Sequence, residues 1–107
     1  MQSFTPGQPN TLTADMIAKA APNDPITSGT VIAYLKAMDG DNAGKWWDAD
    51  NEEWSATKAS AGSMEHDTDG HWEVVIAADA WIAGVRYRFD AKESGNLHVT
   101  YSEEVVE

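Results

Sequence analysis

The chain has no cysteine, few basic residues and no long apolar run, and each deficiency removes a class of protein. Without cysteine there are neither disulfides nor thiolate metal sites, so 107 residues must hold together by packing alone. Only 7 lysines and arginines stand against 18 acids, a formal net charge of −11, which argues against a phosphate backbone or an anionic membrane surface as partner. No apolar stretch approaches the roughly 18 to 20 residues that span a bilayer. The opening run MQSFTPGQPNTLTAD lacks the basic and apolar regions of a secretory signal. No signal peptide, no membrane and no nucleic acid are therefore expected.

What is present reads as all-β. At this length one domain is the default. In residues 71–76, Trp72, Val74 and Ile76 alternate with His71, Glu73 and Val75. In 85–91, Val85, Tyr87, Phe89 and Ala91 alternate with Arg86, Arg88 and Asp90. That period of two predicts strands with one wet face. Residues 31–38 predict another, with Val31, Ala33, Leu35 and Ala37 on one side and Ile32, Tyr34, Lys36 and Met38 on the other. Apolar residues on both sides suit a central strand.

KWWDADNEEW predicts a hairpin in which Trp47 and Trp54 meet across the loop 49–53. DTDG at 67–70 is a tight turn, AADAWIAG a corner, and ESGN at 93–96 a turn into a last strand over 97–105. Residues 11–20 fit two patterns. Leu12, Ala14 and Met16 alternate as in a strand, the preferred reading, while Asp15 and Lys19 at i and i+4 suit a short helix. Residues 1–10, with Pro6, Gly7, Pro9 and Asn10, read as an extended N-terminal arm, mobile unless a partner holds it. The prediction is about seven strands over 11–107 in a β-sandwich, with the arm outside it. Most of the five tryptophans are expected in its core.

Three passages carry a resemblance. Pro25 and Ile26 are followed by Gly29 and Val31. Asp69, Gly70, Trp72, Val74 and Ile76 lead to Gly84 and Tyr87. The closing run is AKESGNLHVTYSEEVV. Together they resemble the immunoglobulin-like β-sandwich modules of tailed-phage virion proteins and bacterial surface proteins, although the cysteine pair of antibody domains is missing. The resemblance implies that Tyr87 fixes a corner by a hydrogen bond from its hydroxyl to backbone. It also implies a virion accessory protein, assembled in the host cytoplasm and docking onto a larger assembly.

No motif specifies a reaction. There is no G-x-S-x-G elbow, no glycine-rich phosphate loop, no H-E-x-x-H and no cysteine nucleophile, so no enzyme activity is expected. Asp39, Asp41, Asn42, Asp48, Asp50, Asn51, Glu52, Asp67 and Asp69 are acidic-loop residues of the type calcium takes. DADNEEW nevertheless has Glu53 where an EF-hand needs glycine, and solvated loops are the simpler reading, so no metal or other cofactor is expected. His66, His71 and His98 lack metal-ligand spacing.

The candidate contact residues are Trp46, Trp47, Asp48, Asp50 and Asn51. Adjacent tryptophans on a strand face opposite ways, so one of them is a candidate for exposure. Beside those acids it forms a platform for a protein partner or a glycan ring. Arg86 and Arg88 alternate outward and are expected to pair with Glu73 or with acids of a second subunit. Self-association into a homo-oligomer is also expected, because a lone sandwich leaves strand edges open.

Overall fold

The structure is a computed structural model that describes residues 1–16, 25–94 and 100–107. Ten strands are present among them: β1 (Gln2–Ser3), β2 (Asn10–Asp15), β3 (Thr30–Ala37), β4 (Trp46–Asp48), β5 (Glu53–Ser55), β6 (Gly62–Ser63), β7 (Glu65–Thr68), β8 (His71–Ile76), β9 (Tyr87–Ser94) and β10 (Thr100–Val106). Seven form one sheet in the order β1-β10-β9-β3-β4-β5, with β6 also paired to β3, and three form a second sheet, β2-β8-β7. Their inward faces share one apolar core, a sandwich-like all-β arrangement.

The alternations determine which face turns inward. Val31, Ala33, Leu35 and Ala37 of β3 are buried, as are Tyr87, Phe89 and Ala91 of β9 beside them. Trp72, Val74 and Ile76 of β8 close the core from the other sheet. As its two apolar faces suggest, β3 lies inside its sheet, between β9 and β4. Trp47 pairs with Trp54 in the β4–β5 hairpin, rings edge to face at 5.4 Å.

The corner between β8 and β9 contains a 3-10 turn at Ala78–Ala80. Tyr87 closes it: its hydroxyl donates to Ala80 O at 2.8 Å and accepts the Ile82 N–H at 2.9 Å. Burial pushes the phenol pKa up, so the hydroxyl keeps the proton it donates. Tyr87→Phe would strip both backbone groups of their partner at almost unchanged volume. Urea denaturation is expected to show a loss of about 1.5–3 kcal/mol.

Three expectations need correction. Residues 1–10 are not an arm outside the sandwich. β1 pairs in parallel with β10, and Phe4 is 4% exposed within the core. The Gln2 amide lies along the rim of β2, accepting the Thr13 N–H at 2.9 Å and donating to Thr13 O at 2.6 Å. One residue thus joins the edges of both sheets. Asn10 closes the following turn through Thr5 N, Thr5 O and Gln8 O.

Second, the turn expected at 93–96 starts too early, because Glu93 and Ser94 still pair with Val31 and Thr30 of β3. Third, three strands beyond the expected seven are present: β1, β6 and β7. Two are only two residues long, and β7 is a polar edge strand with a bulge between His66 and Thr68. None offers an apolar alternation to read. The remainder of the 11–20 reading beyond Met16, the 95–96 turn residues and the start of the last strand, with His98, lie outside the described residues.

Candidate functional site

The pleat separates the adjacent tryptophans. Trp47 is 2% exposed and lies in the core, against Trp54, which in turn stacks on Tyr87 at 5.8 Å. Trp47 is therefore withdrawn from the candidate contacts. Trp46 is half-buried on the outer face of the seven-stranded sheet. There it meets Tyr34 of β3 edge to face, with ring centroids 6.2 Å apart.

Two lysines complete this cluster. Lys36, directly across from Trp46 in the β3–β4 ladder, places Nζ 5.3 Å from the Trp46 ring centroid. Lys58, from the chain between β5 and β6, stands 4.4 Å from the Tyr34 centroid and 5.3 Å from that of Trp46. The negative ring faces attract the ammonium groups and hold them against the sheet. The result is a pair of oriented cations on an aromatic base. Neither lysine was among the candidate contact residues read from the sequence. Lys36 was legible as a neighbour through its alternation phase with Tyr34, whereas Lys58 sits in a stretch of small residues with no pattern.

Asp48, Asp50 and Asn51 lie beside this face, but the polar atoms of two of them are already engaged. Asp48 Oδ1 accepts from the backbone N–H of Asp50 (3.0 Å) and Asn51 (3.2 Å), and Asn51 Nδ2 donates to Asp48 Oδ2 at 2.9 Å. The Asn51 side-chain bond, with the two backbone bonds, holds the Asp48 carboxyl below the usual carboxylate range. These bonds build the loop; Asp50 and Asn51 are exposed and Asp48 is half-buried.

The other titratable groups are spread out. Arg86 forks onto Asp39 at 2.9 and 3.0 Å, and Arg88 reaches Asp90 at 3.1 Å. The expected pairing with Glu73 fails because Glu73 belongs to the other sheet. His71 Nδ1 lies 2.8 Å from Asp15 Oδ1, and this bond raises the imidazole pKa. His66 Nε2 accepts the Gly70 N–H at 3.1 Å. Among the described residues, no three His, Asp or Glu side chains converge as metal ligands.

A cleft at one end of the sandwich is lined by Asp39, Asp41, Asn42, Trp54, Ile82 and Val85, among others. Its Asp39 is already committed to Arg86. Among the described residues, the Trp46, Tyr34, Lys36 and Lys58 cluster brings large aromatic surface and charge together outside the core.

No family model, curated protein or solved structure matches the chain. The functional reading therefore rests on this cluster and on the arrangement of the strands.

Proposed function

We propose that this protein is a non-enzymatic interaction module, an immunoglobulin-like sandwich that docks onto a larger protein assembly, of the virion-accessory kind expected from the sequence. Two features favour the immunoglobulin-like description. The strand order β10-β9-β3-β4-β5 over β2-β8-β7 parallels the G-F-C-C′-C″ and B-E-D sets of variable-type domains. Tyr87, at the start of the penultimate strand, makes the bonds of a tyrosine corner.

The observation that carries the docking reading is the outward placement of Trp46 and Tyr34 under two lysines. Trp and Tyr are the residues enriched at protein contact sites and among their energetic anchors. The alternative, a glycan stacked on a bare tryptophan, has less support, because ammonium groups occupy the ring faces a sugar would need.

Trp46→Ala removes a half-buried ring together with its contacts to Tyr34, Lys36 and Lys58, so a folding loss of about 1–3 kcal/mol is expected, and circular dichroism should show the variant still folded. Attachment is the informative readout. Particles banded on a density gradient from the encoding organism should carry the wild-type chain, detected by mass spectrometry, and should lose it in the variant. A chain found only in the soluble fraction would refute the assembly reading. Retention on a polysaccharide column that Trp46→Ala abolishes would transfer support to the glycan reading.

A further inference from the structure

The chain carries more than two acids per base, yet Lys36, Lys58 and Lys92 take part in none of the ion pairs among the described residues. All three flank the Tyr34–Trp46 cluster, Lys92 lying across from Ile32 two positions along the same face of β3. The strands of the same seven-stranded sheet also hold Asp48, Glu53, Asp90, Glu93, Glu103 and Glu104, so the cationic character is local to the cluster. The three-stranded sheet has no such mixture. Its strands hold Asp15, Glu65, Asp67 and Glu73 and not one lysine or arginine.

Glu65 and Glu73 stand directly across from one another in the β7–β8 ladder. Two like charges there destabilise the pair of strands unless a cation comes between them. None of the ion pairs among the described residues involves either. Both line a shallow cleft with Ala61, Ser63 and Val75, and Val75 is 64% exposed. An acid pair beside an apolar wall matches what the other face presents: ammonium groups seated on aromatic rings.

We propose that two local patches are complementary halves of one contact, the Lys36–Lys58–Trp46 patch of one copy seating on the Glu65–Glu73 patch of the next. This builds on the interaction reading above and makes a second copy of the chain the first occupant of the cluster. The contact is head to tail, because the Lys36–Lys58 patch repels a second copy of itself and the Glu65–Glu73 patch attracts it. Each copy then leaves one patch of each kind free, so association continues into a ring or a short filament.

Sedimentation equilibrium of the full chain tests it. The wild type should exceed the monomer mass of 11.6 kDa and grow with concentration. Lys36→Glu/Lys58→Glu and Glu65→Lys/Glu73→Lys, each folded by circular dichroism, should run as monomers, their association weakened on the order of 100-fold or more. An equimolar mixture of the two should associate again, since each supplies the charge the other has lost. A wild type that stays monomeric to about 1 mM, or an oligomer that either reversal leaves intact, would overturn the second-copy proposal. Loss of particle attachment in Trp46→Ala alongside a monomeric wild type would leave the docking reading standing and refute only this contact.

Discussion

Replacing Phe4 by alanine is expected to lower the unfolding free energy by about 3–5 kcal/mol, the range for a buried phenylalanine that leaves a cavity. Phe4 is 4% exposed, stacks on Trp81 at a centroid distance of 4.9 Å and meets Tyr87 edge-on at 5.3 Å. Its backbone N–H donates to Val106 O at 2.9 Å, which extends the β1–β10 pairing into the core. For a small domain whose total stability is ~5–15 kcal/mol, that loss is a large fraction of what holds it folded. Gln8→Ala, at an exposed site four residues further on, is the control and should fall within about 0.5 kcal/mol of wild type. Guanidinium denaturation of the three proteins decides the matter. A Phe4→Ala loss below 1 kcal/mol would mean that residues 1–4 act as a detachable arm after all.

Gly70→Ala should be comparably damaging, for a different reason. Asp69 and Gly70 form the two-residue loop of the β7–β8 hairpin, both with positive φ, 48° and 83°. That is the pattern of a type I′ turn, which favours Asp-Gly. At Gly70 an added Cβ would lie 2.5 Å from Pro25 Cβ and 2.8 Å from Met16 O. Neither neighbour is a flexible side-chain end, and Met16 is tied to the same turn, its N–H donating to Gly70 O at 2.8 Å. Strain in the left-handed region costs about 1–2 kcal/mol and the overlap adds roughly 1–3 kcal/mol, for an expected loss of about 2–5 kcal/mol. Gly44→Ala separates the two contributions. Gly44 has a similar φ of 82° with nothing near the added carbon, so its loss should stay at the backbone strain alone. Equal losses at the two sites would show that the Pro25 contact carries no weight.

The legible part of this fold was the part written in apolar alternation. Strands β3, β8 and β9 each bury every second side chain against the core, so a period of two appears in their residues. The Trp47–Trp54 pairing was legible because the hairpin is local, and local pairs are constrained by loop length. Strands β1, β6 and β7 were not legible. Their pairing partners lie far along the chain or their side chains are polar, and backbone hydrogen bonds carry no side-chain signature. Phe4 was missed for the same reason. A single aromatic among Pro, Gly and polar residues has no period, and its burial depends on β10, at the other end of the chain.

The candidate site divides along the same line. The sequence by itself determined that one of Trp46 and Trp47 must face away from the core, because adjacent strand residues point to opposite sides. It also determined the acid excess, the absence of any reaction motif and the all-β character. Only the tertiary structure decided that the outer ring is Trp46 and that Tyr34, Lys36 and Lys58 gather around it. The physical reason is register. Which residues become neighbours across a sheet depends on the pairing of strands and on the course of the chain between them. Both are set by the packing of the whole core rather than by any segment's own pattern.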